Sequence, residues 1–276
     1  MKKNQSTQLA EGTSMVEEEI HGPTVVYDQR REVTEPNTHK HVQFYGAFTN
    51  LNSQGHFPSR PYPVRPPDVI PAPLDDDRAH AYIDIINAIP KDKLNIIDFG
   101  GGDGTHYLTL KNNTTKKFDY HIVELPQEWR TDVSKEIKYY KSLENAAQSF
   151  PDKEEIDLVY SNGTIYITGN HVARHLHYIC RIKAPRILLQ RTVVAVGGNF
   201  DHFFAYEPSI GARYSIISEK GLREGLAAHG YELQGGEPLH KGVNFIHNPD
   251  PMCSCVLPSD IGTICYRDYL FIKKER

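Results

Sequence analysis

Short, mainly apolar runs recur along this chain of 276 residues, separated by segments long enough for a helix. The runs lie at 94–99, 120–124, 156–160, 186–190 and 266–272. Apolar runs this short are typical of strands that are buried on both faces of a sheet. Segments long enough for a helix lie between several of these runs, at 143–149, 170–182 and 218–229. This alternation predicts a doubly wound α/β fold, in which helices cover both faces of a largely parallel sheet.

The composition excludes several other classes of protein. Hydrophobic residues make up 39% and charged residues 24%, and the formal net charge of −4 disfavours a basic nucleic-acid-binding surface. Four cysteines are too few for a disulfide scaffold, and no apolar run approaches the roughly 20 residues that cross a bilayer. We therefore expect a cytoplasmic protein that binds neither nucleic acid nor membrane, and a homodimer is left open.

The chain divides near residue 74. Its first 40 residues are polar without a lasting period, and residues 44–73 are rich in aromatic residues, glycine and proline. Proline at that density forbids regular helix. We expect residues 1–74 to form a flexible arm and an irregular segment that covers a pocket, and residues 75–276 to form the main domain. Asp75 or Asp76 can cap its first helix, which runs through Ile89.

The most informative string, from Asp98 to Gly104, reads D-F-G-G-G-D-G and directly follows the first apolar run. Glycines there allow the backbone to turn sharply and to approach a ligand where a Cβ would collide. Glu124 ends the next run, where an acid can accept hydrogen bonds from ribose hydroxyls. The two features together favour a nucleotide-cofactor site over a tight turn without a ligand.

The glycine spacing discriminates between cofactors. Dinucleotide-binding chains carry G-x-G-x-x-G, in which the second glycine makes room for the pyrophosphate. Counted from Gly100, the third glycine position is Thr105, and counted from Gly101 it is His106. An NAD(P)-dependent oxidoreductase is therefore disfavoured, although Gly101-x-x-Gly104 keeps it as an alternative.

The string from Ile97 to Gly104 resembles the first motif of the class I S-adenosylmethionine-dependent methyltransferases, D-x-G-x-G-x-G. The resemblance extends over residues 94–272, and the triple glycine is similar to that of a little-characterised bacterial branch. It implies the class I type of sheet with an antiparallel last strand, and S-adenosyl-L-methionine as cofactor. It also implies methylation of a small polar acceptor such as a natural product or sugar, on oxygen more than nitrogen. A cofactor-binding scaffold without catalysis is the alternative outside enzymology.

The same resemblance implies cofactor contacts at the ends of four strands. They fall on Asp98, Gly100, Gly101 and Gly102 for the methionine moiety, Glu124 with Leu125 beside it for the ribose, Ser142 and Leu143 for the adenine, and Ser161 or Asn162 for the sulfonium side.

Methyl transfer from a sulfonium needs an aligned nucleophile and, for a hydroxyl acceptor, a base. Our first candidate for this base is His202, which lies among aromatic residues after the fourth run, 186–190. His106, just past the glycines, is a second candidate, with a solvent-facing helix start as its alternative. Arg191 could bind an anionic substrate group or form a structural ion pair. Tyr166 could line the pocket or pack on the sheet.

Further histidines and cysteines could suggest a metal. His171 and His175 are four residues apart and share a helix face, although we expect them to face solvent. Residues 240–265 contain Cys253 and Cys255, but Cys-x-Cys is not the usual zinc spacing. We therefore expect no metal and interpret this segment as a loop that covers the pocket.

Overall fold

The structure is a computed structural model that describes residues 24–26, 34–37, 41–44, 71–126, 129–151, 155–167, 172–197, 202–207, 212–244 and 262–274. The helices in these ranges are α1 (Asp77–Ala88), α2 (Thr105–Asn113), α3 (Leu143–Gln148), α4 (Val172–Ile182) and α5 (Glu219–Ala228). The strands are β1 (Thr24–Val26), β2 (Thr34–Asn37), β3 (His41–Phe44), β4 (Lys93–Phe99), β5 (Lys117–Val123), β6 (Ile137–Tyr140), β7 (Leu158–Asn162), β8 (Arg186–Gly197), β9 (His202–Glu207), β10 (Ala212–Ser218), β11 (Tyr231–Leu233), β12 (His240–Asn244) and β13 (Gly262–Lys273). Strands β1, β2, β3, β9 and β12 are described by their backbone.

The central sheet has the order β6-β5-β4-β7-β8-β13-β11. The five strands from β6 to β8 pair in parallel, whereas β13 runs antiparallel to both β8 and β11. The predicted doubly wound sheet of the class I methyltransferase type, with its last strand antiparallel, is confirmed. All five parallel strands end at one edge, and such an edge is where ligands bind in open α/β sheets.

Side chains alternate between the two faces of this sheet. In β4, Ile96 belongs to the core under α1 and α2, whereas Ile97 belongs to the core under α3, α4 and α5. Leu188 and Leu189 of β8 divide between the same two cores. This period of two is the reason that the predicted strands are apolar throughout.

Helix α1 begins where the sequence predicts. Asp76 is its N-cap, and the Asp76 carboxylate accepts a hydrogen bond from the Ala79 N–H at 2.8 Å. Strand β8 differs from its prediction, because it continues seven residues past Gln190 to Gly197. A polar residue, Arg191, interrupts its apolar pattern, which explains the early end that was predicted.

The proposed division at residue 74 stays a prediction. Within residues 1–74 the structure describes β1, which pairs in parallel with β9, the hairpin of β2 and β3, and residues 71–74. The rest of the aromatic and proline-rich segment lies outside the described residues. Among the helices of the described ranges, none is long and apolar enough to cross a membrane.

Candidate cofactor and acceptor site

The glycine loop connects β4 to α2 at the carboxyl edge of the sheet. Gly100, Gly102 and Gly104 have φ angles of 76°, 54° and 86°, in the left-handed region that residues with a Cβ rarely adopt. A Cβ on Gly100 would also collide with the side chain of Thr164, which follows β7. A Cβ on Gly102 would meet nothing within 4 Å. The loop is therefore packed against β7 at its start and borders open space at Gly102.

Glu124 lies directly after β5 and faces this loop. Its carboxylate accepts a hydrogen bond from the Gly102 N–H at 3.2 Å and from the Leu125 N–H at 2.7 Å. Its backbone N–H donates to the Tyr140 carbonyl of β6, and its own carbonyl accepts from the Trp129 indole N–H, both at 3.0 Å. The structure thus brings Glu124 to the open space at Gly102. Leu125, 54% exposed, presents an apolar side chain next to it.

A pocket opens beside the ends of β4 and β5. Phe99 and Val123 line it together with Lys141, Ser142, Leu143, Glu144, His175 and Tyr178. Ser142 is the N-cap of α3 and accepts a hydrogen bond from the Asn145 N–H, which fixes the turn into the helix. The two residues predicted to flank an adenine, Ser142 and Leu143, therefore both line one wall of this pocket.

His175 was expected to face solvent, but it lies against the pocket instead. Its ring packs edge-on against Phe99 with ring centroids 4.9 Å apart. The sequence spacing correctly placed His175 on a helix, but the face that α4 turns toward β4 depends on the fold. His171 lies outside the described residues.

A buried ion pair underlies the glycine loop. The Asp98 carboxylate, fully buried, accepts from the Tyr120 hydroxyl at 2.8 Å and lies 2.9 Å from His106 Nδ1. Burial of His106 opposes its protonation, but the charge and hydrogen bond of Asp98 outweigh this and raise the pKa of the imidazole above its ordinary value. The other Asp98 oxygen, Oδ1, has no hydrogen-bond partner among the described residues.

The end of β7 completes this cluster. His106 Nε2 lies 3.3 Å from the amide Nδ2 of Asn162, and the His106 ring meets Tyr160 edge-on. The Ser161 hydroxyl and Asn162 Oδ1 are buried and lack a hydrogen-bond partner among the described residues. Asp98 and His106, from the glycine string, and Asn162, from the end of the third run, are thus in one chain of contacts. Sequence spacing alone did not indicate that Asp98 and His106 would pair.

The structure describes the side chains of Arg191 and Tyr166, but only the backbone of His202. Arg191 lies in β8, with its side chain exposed. His202 begins β9, and its side chain lies outside the described part of the structure, so its role as a base stays a prediction. Tyr166 is buried, and its ring meets that of Tyr266 edge-on at 6.0 Å.

The cysteine-rich segment is only partly described. Cys265 is buried in β13, whereas Cys253 and Cys255 lie outside the described residues. Within the described ranges, no group of three or more His, Cys, Asp or Glu residues could hold a metal ion.

No family model matches this chain, and no curated protein matches it. Solved structures similar to it include the N-terminal domain of EvdMO1 with SAH bound, at 13% identity and a TM-score of 0.48, covering 72% of this chain and 80% of that chain. A second is the 1,6-didemethyltoxoflavin-N1-methyltransferase of Burkholderia thailandensis with bound 1,6-didemethyltoxoflavin and S-adenosylhomocysteine. The identity is 13% and the TM-score 0.45, and the match covers 73% of this chain and 80% of that chain. A third is CalS10, an amino pentose methyltransferase from Micromonospora echinaspora, with SAM bound. The identity is 12% and the TM-score 0.44, and the match covers 72% of this chain and 91% of that chain.

Proposed function

We propose that this chain is an S-adenosyl-L-methionine-dependent methyltransferase that acts on a small polar acceptor, on oxygen more than nitrogen. The observation that carries the proposal is the position of the Glu124 carboxylate, which faces Gly102 across the glycine loop. This is the pairing that the resemblance to class I methyltransferases implies for a ribose held beside the first motif. The net charge of −4 favours a small molecule over a nucleic acid as acceptor.

The residues present fit the cofactor in three respects. Open space at Gly102 leaves room for a ligand against the backbone. A carboxylate has about four lone-pair positions, so Glu124 can hold backbone N–H groups and ribose hydroxyls together. The pocket at Phe99 and Leu143 offers an apolar wall to a planar base, with the exposed Leu125 nearby.

One contact argues against the alternative of an NAD(P)-dependent oxidoreductase. Asp103 Oδ1 accepts hydrogen bonds from the Thr105 backbone N–H at 3.2 Å and from its hydroxyl at 2.6 Å. The Asp103 carboxylate therefore sits at the start of α2, where a dinucleotide would place its negatively charged pyrophosphate. Like charges at that position oppose a dinucleotide, whereas the sulfonium cofactor carries no phosphate.

In this proposal His106 is the proton acceptor. When bound, S-adenosylmethionine supplies an electrophilic methyl group and no protein nucleophile is needed. Asp98 orients the His106 ring through Nδ1, and Nε2 points toward Asn162 at the end of β7. A hydroxyl acceptor at that strand end can pass its proton to Nε2. Since the pKa of His106 is raised, the rate is expected to increase with pH through a pKa above that of an ordinary histidine.

Calorimetric titration tests the proposal. We expect S-adenosylhomocysteine to bind saturably and NADH not to bind. Glu124→Ala removes charge-assisted hydrogen bonds and is expected to weaken S-adenosylhomocysteine binding by about 10- to 100-fold. Glu232→Ala, on β11 and paired with Lys274, is the matched control that leaves binding unchanged. Saturable binding of NADH alone would overturn the assignment.

A methyl-transfer screen separates an enzyme from a scaffold. The purified protein is incubated with S-adenosylmethionine labelled in its methyl group and with pools of hydroxylated and amino metabolites. We expect labelled product with the wild-type protein and its loss with Glu124→Ala. Saturable cofactor binding without any product across the pools would instead favour the inactive cofactor-binding scaffold.

A further inference from the structure

Arg191 has an unusual position in β8. It is the one exposed residue within the otherwise buried run 187–195, and its φ of 49° lies in the left-handed region. The pairing between β8 and β13 shifts here, so that Gln190 and Arg191 together oppose Asp268. The Arg191 N–H donates to Asp268 Oδ1 at 2.7 Å. A bulge of this kind redirects a side chain out of a sheet, and here it turns an arginine away from the core.

The positive charge of Arg191 is not neutralised by this arrangement. Asp268 is almost fully buried, and its second oxygen lies 3.3 Å from Arg78 Nε. The Asp268 carboxylate thus pairs with the Arg78 guanidinium and contacts Arg191 at its backbone N–H. Among the described residues, no carboxylate lies within ion-pair distance of the Arg191 guanidinium, and its described side-chain neighbour is the Tyr266 ring, with the guanidinium carbon 6.0 Å from the ring centroid.

The Arg191 side chain lies next to the acceptor side of the proposed site. Asn162 pairs with Gln190 in the sheet, so the end of β7 and Arg191 are neighbours. A Cβ on Gly163 would lie 4.0 Å from both Arg191 Cβ and Nε. The charge of Arg191 also acts on His106, whose protonation it opposes. Arg191 and the Asp98–His106 pair therefore share one end of the sheet.

We propose that Arg191 binds an oxyanion group of the methyl acceptor, a carboxylate or a phosphate, between the Gly163 turn and Tyr266. This inference rests on the proposed function and adds the chemical class of the substrate. A guanidinium presents parallel N–H donors that match two oxygens of such a group. Because Gly163 has no side chain, the guanidinium is accessible from the turn. The Tyr266 ring, whose centroid lies 6.0 Å from the guanidinium carbon, limits the directions in which the guanidinium can swing.

Arginine-specific modification tests the inference at the level of the single residue. The full chain, saturated with S-adenosylhomocysteine, is treated with phenylglyoxal in the presence of acetate, inorganic phosphate or neutral acetamide, and modified peptides are quantified by mass spectrometry. We expect acetate or phosphate to slow modification of Arg191 by about tenfold, as a charge-assisted contact predicts. Acetamide is expected to have no effect.

Arg181, exposed on α4, is the internal control, and its modification is expected to stay unchanged. Protection by phosphate alone indicates a phosphorylated acceptor, and protection by acetate alone indicates a carboxylic acid. Absence of protection by both anions, or equal protection of Arg181, overturns the inference.

Variants provide the second measurement. Calorimetric titration of the loaded protein with the protecting anion is expected to give about tenfold weaker binding for Arg191→Gln. Arg191→Lys keeps the charge but loses the paired donors, and is expected to lie between Arg191→Gln and the wild type. Unchanged affinity in Arg191→Gln contradicts the inference.

The two proposals fail separately. S-adenosylhomocysteine that does not bind the wild-type protein contradicts the methyltransferase assignment, and the protection assay on the ligand-free chain then still tests Arg191. If S-adenosylhomocysteine binds wild type and Arg191→Gln with equal affinity and neither anion protects Arg191, only the proposed class of acceptor is contradicted.

Discussion

Replacing Gly100 by alanine tests how closely the glycine loop is packed against β7. The added Cβ would lie 2.5 Å from Thr164 Cβ, with the Thr164 hydroxyl and methyl nearer still. A non-glycine residue at φ +76° costs about 1–3 kcal/mol, and overpacking a filled site costs about 1–3 kcal/mol more. We therefore expect the free energy of unfolding to fall by about 4 kcal/mol.

Gly102→Ala is the matched control. Its φ is +54°, but a Cβ there meets nothing within 4 Å. The steric cost is absent, and we expect a loss of about 1–2 kcal/mol from backbone strain. Combining Gly100→Ala with Thr164→Gly removes the clashing atoms. A double-mutant cycle should therefore show a favourable coupling of about 2 kcal/mol.

Urea denaturation followed by circular dichroism measures these differences. The reasoning predicts the order wild type, Gly102→Ala, then Gly100→Ala in decreasing stability. Equal losses in the two single variants, within about 0.5 kcal/mol, would refute it. Equal losses would mean that Thr164 does not restrict the loop and that glycine is required there only for its backbone angles.

Three further predictions concern buried titratable groups. Asp98→Asn removes the main charge that opposes the effect of burial on His106, so the imidazole pKa should fall relative to wild type. An NMR titration that gives an unchanged pKa contradicts the ion pair. His121 stacks on Phe150, and burial lowers the pKa of its imidazole. The neutral imidazole therefore stabilises the fold above about pH 6.5, and this stabilisation is lost as the pH falls through the lowered pKa. Urea midpoints at two pH values should show a smaller acid loss in His121→Phe than in wild type, and an equal loss counts against the prediction. Burial raises the pKa of the Cys180 thiol to about 11. Iodoacetamide at pH 8 should therefore modify Cys180 in urea but not in the native protein. Rapid modification of the native protein would contradict this, because it would show that the thiol is accessible.

Much of the fold could be predicted from local pattern. Strands buried on both faces leave apolar runs, and β4 and β5 were located by them within a few residues. Side-chain caps mark helix starts, as at Asp76 and Ser218. No apolar run marks strand β6, because it is short and only Ile137 in it is buried, and its end was placed only by the resemblance.

The site could be predicted only where its residues lie next to strand ends. Glu124 was found because an acid after the second strand and glycines after the first meet at one edge of any such sheet. The Asp98–His106 pair could not be found in this way. It depends on the loop folding back through three glycines in the left-handed region, and no local periodicity encodes that return. The exposed position of Arg191 likewise depends on a pairing shift against β13, a strand far away in the sequence.

A structure of the chain with S-adenosylhomocysteine bound tests the central claim most directly. We predict density for the nucleoside over Gly102, with both ribose hydroxyls within hydrogen-bond distance of the Glu124 carboxylate and the adenine beside Leu143. Density for the nucleoside elsewhere, or a Glu124 carboxylate that makes no contact with the ribose, would contradict the account.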